Sequence, residues 1–461
     1  MAAEPLFQTA APRRIHIVGA GGAGMCGVAK LLAQMGHSVT GSDIKPGRAL
    51  SNLTDVGVDV WVGHDPARID GVDLVVVSSA VPETDPERQA ASRNGVPVWD
   101  RPRLLDAITT TMPAIGIAGT HGKTTSTAMG VCALRACGLD PSFIVGGELV
   151  DLNTGAHLGS DDVFILEADE AFGTFRHLNL GGLLVTNIEA DHLDHYGTVA
   201  AVEDAFAQVA DGVNGPVLAC HDDPGVRRLV QRSNVVTYGV DPRARWRIEE
   251  VEHGEWDVSF RLTRPLTDLD PIEVQVPQPG IHTARNAAGV VALLAELGFD
   301  PDCAAAGLSA YSGVRRRLEI RSTTNGVTII DDYAHHPTEV AAVVAATQLG
   351  EGHRVWVVFQ PHRFSRTADL APAFGEPLAA ADRVVVTDVF AAGEAPLPGV
   401  SGRLVAEAVQ AAGGEAAYVP RLNEVVDLVG PQLRSGDVVL LLGAGDVGTL
   451  ADPLADIVAR R

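Results

Sequence analysis

The segment that most constrains the fold of this chain is residues 115–126, where an apolar run ends in a Gly-rich turn followed by Lys-Thr-Thr. The pattern predicts a strand, a phosphate-binding turn and a helix that continues through Leu134. Glycines let backbone N–H groups approach phosphate oxygens, and the N-terminus of the helix adds partial positive charge. Lys123 would then reach the β- and γ-phosphates, while the Thr124 hydroxyl would hold Mg²⁺.

Composition strengthens the assignment of Lys123. The chain has 35 Lys and Arg residues, yet only three of them are lysines, at positions 30, 45 and 123. A surface Lys on an ordinary strand–helix turn is the alternative. The spacing is tighter than in the usual P-loop, since Ile117 stands where a Gly is expected before Gly122. This shorter form is typical of a narrower group of nucleotide-binding proteins.

Length and charge limit the number of domains and the kinds of partner that we expect for this chain. At 461 residues we expect three domains, at residues 1–110, 111–313 and 314–461. The net charge of −23 argues against a nucleic-acid partner, which needs a basic face. No uncharged apolar run reaches about 18 residues, so we expect no membrane insertion. The first dozen residues do not resemble a signal peptide, and five cysteines without a C-x-x-C pair favour a reduced, cytoplasmic protein.

Short apolar runs alternate with helical patterns, and this alternation predicts an α/β fold with mostly parallel sheets. One helix is expected at residues 24–35, residues 280–286 are expected to lead into a second helix that ends near Gly298, and an antiparallel patch is expected within residues 240–278. The expected strands lie at residues 14–18, 38–43, 74–78, 163–166, 182–186, 327–330, 354–359, 383–387 and 437–442.

A G-x-G-x-x-G motif spans residues 19–24 after the first expected strand, and Asp43 ends the next one, where a ribose-binding acid belongs. Read alone, the motif predicts an NAD site. The signal is weak, because residues 443–448 match the same pattern. For residues 19–24, NAD, another nucleotide diphosphate and tight helix–strand packing all remain open, and we favour the second. For residues 443–448 we favour packing.

Two acidic loops follow strands of the central third. Glu167 begins residues 167–170 at a strand end, where a second Mg²⁺ ligand belongs beside a phosphate-binding turn. His192 lies in residues 186–195, a loop dense in Asp, Glu and His, and could ligate a metal or contact phosphate. Each loop alone could be a solvated turn. Two of them after strands of one domain favour function, although without thiolates they do not form a zinc site.

Two polar loops, at residues 331–339 and 360–366, follow strands in the last third. Open α/β sheets bind ligands at the carboxyl ends of their strands. Arg363 and Arg366 could therefore clamp a carboxylate or a phosphate. The alternative for each loop is a hydrogen-bonded connection without a ligand.

Together these motifs resemble the Mur ligase family across essentially the whole chain, through residues 19–25, 119–125, 167–170, 187–192 and 331–339. The resemblance is greatest to the branch that adds the first amino acid of the peptidoglycan stem peptide. It implies an N-terminal Rossmann-like domain for a UDP-sugar, a central P-loop ATPase-like domain with a mostly parallel sheet, and a C-terminal Rossmann-like ligase domain.

The activity implied by this resemblance is ligation of L-alanine to UDP-N-acetylmuramate, with ATP and Mg²⁺. A carboxylate does not react with an amine at neutral pH because O⁻ is a poor leaving group, so ATP first converts it to an acyl phosphate. Two rival functions remain: a nicotinamide-dependent oxidoreductase, and a family member that attaches a preformed tripeptide to the same UDP-sugar.

The resemblance also implies roles for individual residues. The ATP site comprises Gly119, Thr120, His121, Gly122, Lys123, Thr124, Thr125, Asn286, Arg316, Asp332, Tyr333 and His336. The UDP-sugar site comprises Gly21, Gly22, Gly24, Met25, Asp43, Ser79 and His335. The implied metal ligands are Thr124, Glu167 and His192, and the implied catalytic residues are Lys123, His192, Arg363 and Arg366. No Lys follows position 123, so the carbamylated lysine of several sister ligases is absent.

Overall fold

The computed structural model describes residues 11–232, 235–265, 269–348 and 354–460. The chain divides into two compact units. The first contains the residues up to Glu249, Arg261–Val274 and Arg285–Tyr311, and the second contains Glu250–Phe260, Gln275–Ala284 and the residues from Ser312 onward.

The strands form three sheets. In chain order they are β1 Arg14–Val18, β2 Ser38–Asp43, β3 Asp59–Val62, β4 Leu74–Val77, β5 Val98–Asp100, β6 Ala114–Ala118, β7 Ser142–Leu149, β8 Thr154–His157, β9 Phe164–Glu167, β10 Leu180–Val185, β11 Val217–Cys220, β12 Val236–Gly239, β13 Trp246–His253, β14 Val258–Thr263, β15 Ile272–Val276, β16 Glu319–Thr324, β17 Val327–Asp332, β18 Arg354–Phe359, β19 Arg383–Val386, β20 Ala416–Tyr418 and β21 Asp437–Leu442.

Most connections between parallel strands contain a helix. The α-helices are α1 Ala23–Gln34, α2 Arg48–Thr54, α3 Pro86–Arg93, α4 Arg101–Thr111, α5 Lys123–Ala136, α6 Leu193–Tyr196, α7 Val199–Asp211, α8 Pro224–Arg232, α9 Ile281–Glu296, α10 Pro301–Leu308, α11 Pro337–Thr347, α12 Phe364–Leu370, α13 Gly375–Ala379, α14 Arg403–Ala411, α15 Leu422–Val429 and α16 Ala451–Ala459. Short 3₁₀ helices lie at Pro66–Ile69, Ala171–His177, Ala371–Phe374, Gly430–Gln432 and Val447–Leu450.

The first sheet is parallel, with the strand order β3-β2-β1-β4-β5. The order reverses beside β1, and doubly wound sheets bind ligands at such a switch point, outside the carboxyl ends of the strands. Residues 19–24 follow β1 at this point. The fold therefore places the first Gly-rich loop where a nucleotide diphosphate belongs.

The second sheet has the order β15-β14-β13-β12-β11-β10-β6-β9-β7-β8. At its centre, β6 pairs in parallel with both β10 and β9. Because parallel neighbours end at the same edge, the turn after β6 and the loops after β9 and β10 converge there. All five residues of β6 are buried, as expected for a strand covered on both faces.

The third sheet, in the second unit, has the order β16-β17-β21-β18-β19-β20. Only its edge strand β16 runs antiparallel to its neighbour, and the central strands β17 and β21 are buried throughout. The predicted α/β fold with mostly parallel sheets is confirmed. No helix within the described ranges is long and apolar enough to cross a membrane.

Candidate active site

The Gly-rich turn after β6 has the shape that phosphate binding requires. Gly119 and Gly122 have φ angles of +130° and +83°, in a region that side chains rarely adopt. A Cβ on Gly119 would collide with the Thr186 hydroxyl, and a Cβ on Gly122 would lie 2.8 Å from Oδ1 of Asn286. The turn therefore accepts only glycine at both positions, and Asn286 lies against it as expected for an ATP-site residue.

Hydrogen bonds to the loop that follows β10 fix the conformation of this Gly-rich turn. The Thr186 hydroxyl donates to the carbonyl of His121 at 2.6 Å, and the Asn187 Oδ1 accepts the His121 N–H at 2.8 Å. The Thr120 hydroxyl accepts the N–H of Glu189 at 2.9 Å. These contacts fix the turn before any ligand arrives, which lowers the entropic cost of binding.

Lys123 lies at the N-terminus of α5, surrounded by oxygens. Its Nζ donates to the Gly119 carbonyl at 2.6 Å and lies 2.8 Å from both carboxylate oxygens of Glu170. Asp169 is 3.9 Å away. Burial alone would lower the pKa of Lys123, but the nearby carboxylates, Glu170 first, outweigh it and raise the pKa. Lys123 therefore stays charged inside the protein.

Glu167 ends β9 opposite Ile117 of β6 and beside the turn. Its Oε1 accepts the Gly146 N–H at 2.5 Å, and the Thr124 hydroxyl lies near enough to favour the charged carboxylate. Burial raises the pKa of Glu167, while Gly146, Lys123 and Thr124 partly oppose that shift. The structure thus brings together Thr124 and Glu167, the two oxygen donors that were expected to hold Mg²⁺.

His192 immediately precedes the four-residue helix α6 and has a left-handed φ of +53°. Its Nε2 lies 3.8 Å from Asp191. At the other end of α6, the Tyr196 hydroxyl donates to the Glu170 carbonyl at 2.6 Å. The loop carrying His192 is thus tied to the Lys123 side of the site through Glu170.

Thr125 is half-buried in the first turn of α5.

The first Gly-rich loop is hydrogen-bonded to the end of β2. The Ser42 carbonyl accepts N–H groups from Gly19 at 2.8 Å and Ala20 at 2.9 Å. The Asp43 carboxylate accepts the Gly21 N–H at 2.9 Å and the Lys45 N–H at 3.2 Å. Asp43 therefore supports the backbone around the loop with both of its oxygens.

Three other expected residues of this site are near the same loop. Gly22 is the residue before α1, with no side-chain cap, so the first N–H groups of α1 remain for a ligand. Met25 is buried in the first turn of α1 and packs in the core. Ser79 is exposed just after β4, beside the switch point.

Arg101 is a candidate site residue that the sequence interpretation missed. A Cβ on Gly24 would lie 2.9 Å from the carbon of its guanidinium group, so the Arg101 side chain lies over the start of α1. Its buried Nε makes no hydrogen bond within the part of the chain that the structure describes. An arginine following Asp100 at the start of a helix carries no sequence signal for a site 77 positions earlier.

In the second unit, the residues that were expected to bind the nucleotide lie close to one another around the end of β17. Arg316 donates to the Gly443 carbonyl at 2.5 Å and lies 5.0 Å from the ring centre of Tyr333. Asp332 accepts N–H groups from Leu318 and Ala334, both at 2.7 Å. Burial raises the pKa of Asp332 to about 6.

A second cluster in this unit combines His335, Arg363 and Arg366 with His362, which the sequence interpretation did not single out. The rings of His335 and His362 are 5.7 Å apart. Burial lowers the pKa of both histidines to about 4, and the positive charge of Arg366 adds to each shift. Arg363 donates from Nε to Glu394 at 2.7 Å, and its φ is +71°. Two neutral imidazoles and two guanidinium groups form a polar surface suited to a carboxylate and an amine.

The remaining motif residues of the second unit have structural partners. The Glu339 carboxylate accepts the His336 N–H at 3.1 Å in the first turn of α11. In residues 443–448, the Gln360 amide donates to Asp446 at 2.6 Å and accepts the Val447 N–H at 3.1 Å. Protein side chains therefore fill the second G-x-G-x-x-G loop, which supports the packing interpretation.

Three successive segments of the chain match models of Mur ligase domains. Residues 14–111 match the model of the Mur ligase family catalytic domain, residues 117–294 the Mur ligase middle domain, and residues 316–445 the Mur ligase glutamate ligase domain.

Individual relatives cover nearly the whole chain. A UDP-N-acetylmuramate–L-alanine ligase of Acidothermus cellulolyticus is 42% identical, over 97% of this chain and 95% of its own. The enzyme of that name from Clavibacter michiganensis is 43% identical, over 94% and 91%. The crystal structure of the UDP-N-acetylmuramate–alanine ligase of Thermotoga maritima matches with a TM-score of 0.83 at 27% identity, covering 96% of this chain and 98% of that one. The chain belongs to the Mur ligase family.

Proposed function

We propose that this protein joins L-alanine to UDP-N-acetylmuramate at the expense of ATP, in the first stem-peptide step of peptidoglycan synthesis. The Acidothermus and Clavibacter relatives, both UDP-N-acetylmuramate–L-alanine ligases, support this assignment over nearly the full chain. We assign UDP-sugar binding to residues 1–110, ATP binding to 111–313 and ligation to 314–461. Use of ATP and five free cysteines favour a cytoplasmic location.

The reaction begins at the lactyl carboxylate of the sugar. A carboxylate oxygen attacks the γ-phosphorus of ATP, the bond to the β–γ bridging oxygen breaks, and ADP leaves. The amine of L-alanine then attacks the acyl carbon and loses a proton. Inorganic phosphate leaves, carrying the oxygen that came from the carboxylate. Each step moves negative charge on phosphate oxygens, so fixed positive charge at the phosphates lowers the barriers.

The single observation that carries the proposal is the environment of Lys123. Its ammonium group lies at a helix N-terminus beside a turn with two positive-φ glycines, and the neighbouring carboxylates keep it charged. Phosphate oxygens of ATP can replace the Gly119 carbonyl as acceptors from Nζ. Lys123 then neutralises charge on the β- and γ-phosphates, while Asn286 closes the side of the turn at Gly122.

The donor set beside the turn fits a magnesium ion. Mg²⁺ prefers hard oxygen ligands, and the Thr124 hydroxyl and the Glu167 carboxylate are neighbours beside the turn. When bound, Mg²⁺ would shield the charge of the triphosphate, and Thr124 and Glu167 would hold it. We assign His192 to a second metal position on the same side. The hydrogen bond from Gly146 orients Glu167 for this role.

We assign the polar surface of the second unit to the acceptor side of the reaction. Arg363 and Arg366 provide charge for the carboxylate of L-alanine or the lactyl group. His335 and His362 have pKa values lowered to about 4, so both are neutral at pH 7 and repel neither substrate. Arg316, Asp332, Tyr333 and His336 are assigned to ATP through the family resemblance.

The first Gly-rich loop is assigned to the diphosphate of the UDP-sugar. The Asp43 carboxylate accepts backbone N–H groups from Gly21 and Lys45, and so supports the loop that would hold the diphosphate. The Arg101 guanidinium over Gly24 supplies positive charge for a diphosphate. These contacts suit any nucleotide diphosphate, and the nearly full-length relatives favour the UDP-sugar over a nicotinamide cofactor.

A phosphate-release assay tests the proposal. Wild-type protein with ATP, Mg²⁺, UDP-N-acetylmuramate and L-alanine should release phosphate, and omitting any one of the four should abolish the release. Isothermal titration with NADH is the matched control and should show no binding. Release that does not require the UDP-sugar, or NADH binding tighter than UDP-N-acetylmuramate binding, would overturn the assignment.

A further inference from the structure

A buried carboxylate, Glu87 of α3, lies beneath the first Gly-rich loop. Its side chain is 0% exposed. Oε2 accepts a hydrogen bond from the Ser42 hydroxyl at 2.5 Å and lies 2.9 Å from Nδ1 of His64, while Oε1 accepts the Asp65 N–H at 2.9 Å. Glu87 thus joins the ends of β2 and β3 to α3.

A second histidine completes the surroundings of this carboxylate. His16 of β1 is fully buried, stacks on Trp61 with ring centres 5.0 Å apart, and places Nε2 3.4 Å from Oε2 of Glu87. Burial would raise the pKa of Glu87, but the nearby His16 ring and the hydrogen bonds from Ser42, Asp65 and His64 lower it to about 2. Glu87 is therefore an anion held by donors at the ends of β2 and β3, with the His16 ring of β1 packed nearby.

The donor types suggest a metal site, since His64, Asp85 and Glu87 lie close together. The distances favour a hydrogen-bonded network instead. Two ligands of a tetrahedral zinc at about 2.0–2.1 Å are roughly 3.4 Å apart, whereas His64 Nδ1 and Glu87 Oε2 are 2.9 Å apart. One oxygen of Asp85 is also committed to capping α3. The side chains of this cluster therefore bind one another through hydrogen bonds and do not form a metal site.

The connection to the Gly-rich loop runs through Ser42. Its hydroxyl is bound by Glu87, and its carbonyl accepts the N–H groups of Gly19 and Ala20. The next residue, Asp43, accepts the Gly21 N–H. Two adjacent residues at the end of β2 therefore carry both the bond to Glu87 and the bonds that set the shape of the loop.

We propose that Glu87 is a positioning residue for UDP-sugar binding, which acts by holding Ser42 and thereby the backbone of residues 19–21. The inference rests on the proposed function, because it takes this loop as the diphosphate site. Binding to a preorganised loop costs less ordering than binding to a mobile one, so loss of the Glu87 anchor should weaken the UDP-sugar site first. The ATP turn after β6 does not depend on this anchor.

Glu87→Gln tests the anchor at constant volume. The amide keeps one oxygen but loses the charge that the surrounding donors require. We expect the Kd and KM for UDP-N-acetylmuramate to rise about tenfold, as for loss of one charge-assisted hydrogen bond. The Kd for ATP and kcat at saturating UDP-sugar should stay within about twofold. Glu83→Gln is the matched control, because Glu83 is 90% exposed near the start of the same helix and should leave every value unchanged.

Ser42→Ala provides a second, smaller change that keeps β2 and its carbonyl. It should weaken UDP-sugar binding in the same direction, and the double variant should bind no more weakly than Glu87→Gln alone, since the two residues act through one contact. Circular dichroism checks that each variant is folded. A purely structural role for Glu87 would lower the unfolding temperature while leaving the ratio of the UDP-sugar and ATP Kd values at the wild-type value.

The outcomes separate the two claims. Wild-type affinity of both Glu87→Gln and Ser42→Ala for UDP-N-acetylmuramate overturns the inference alone, and so does an equal loss of ATP affinity. If the wild-type protein itself fails to bind UDP-N-acetylmuramate, the proposed function falls, and the inference falls with it.

Discussion

Replacing Lys123 should separate its catalytic role from its role in stability. The side chains of Lys123 and Glu170 are only 14% and 3% exposed, with Nζ 2.8 Å from both Glu170 oxygens. Lys123→Met removes the charge at the phosphates and should lower kcat by about 100- to 1,000-fold. It also leaves Glu170 buried without its main partner. Breaking a buried pair in this way typically costs about 3–5 kcal/mol.

The double variant Lys123→Met/Glu170→Gln separates the loss of turnover from the loss of stability. Replacing both members of a buried ion pair is often nearly neutral, so we expect the free energy of unfolding to return to within about 1–2 kcal/mol of wild type. Activity should stay lost, because the ammonium group of Lys123 is still missing from the phosphate site. Lys30→Met is the matched control: Lys30 is also half-buried in the first unit, where it donates to Thr154, and its loss should leave turnover within a few-fold.

Urea unfolding followed by tryptophan fluorescence gives the stability, and phosphate release gives the rate. Two results would refute the reasoning. One is Lys123→Met with both the stability and the turnover of wild type, which would make Lys123 an ordinary surface residue. The other is a double variant that recovers turnover, which would mean that the charge of Lys123 serves only to neutralise Glu170.

Four further outcomes follow from the site. Glu167→Gln should shift the activity curve to Mg²⁺ concentrations at least about tenfold higher with the Kd for the UDP-sugar unchanged, and an identical curve would show that Glu167 holds no metal. Arg366→Ala should raise the KM for L-alanine or the UDP-sugar while ATP binding persists; a loss confined to ATP affinity contradicts this role. Glycine and L-serine should be used about tenfold to a few hundredfold less well than L-alanine, measured as kcat/KM, since a methyl group provides little binding energy. Equal use of all three would remove the assigned acceptor preference. Because burial lowers the pKa of His335 and His362 from 6.5 to about 4, the unfolded chain binds more protons in that range. The free energy of unfolding of the wild-type protein should therefore fall as the pH drops from 6.5 to 4, and His362→Phe should reduce that dependence.

Local patterns predicted much of the fold because apolar runs between glycines mark which segments become strands. The strands Arg14–Val18, Ser38–Asp43 and Arg354–Phe359 have the expected bounds. Others shifted by a residue or two: the strand expected at 163–166 is Phe164–Glu167, so Glu167 ends the strand rather than following it. Apolar runs do not fix the last residue, since that depends on which neighbour it pairs with.

The chemistry of the two Gly-rich turns was also visible in sequence, because glycine at special backbone positions is a local requirement. The partners of those turns were not. Glu170 lies 47 positions from Lys123, and Arg101 lies 77 positions after Gly24. Glu87 follows Asp85-Pro86 and looks like a solvated helix acid, yet it is fully buried. Such pairings are set by which strands become neighbours, and single-sequence patterns do not carry that information. The roles assigned to the individual site residues stay predictions.

The fate of the carboxylate oxygen tests the central claim most directly. UDP-N-acetylmuramate labelled with ¹⁸O in its lactyl carboxylate should be incubated with the wild-type protein, ATP, Mg²⁺ and L-alanine, and both products examined by mass spectrometry. Activation through an acyl phosphate predicts one ¹⁸O atom in each released phosphate and formation of UDP-N-acetylmuramoyl-L-alanine. Unlabelled phosphate would contradict activation at the carboxylate. Product formed with the tripeptide L-Ala-γ-D-Glu-meso-diaminopimelate but not with L-alanine would contradict the assigned acceptor.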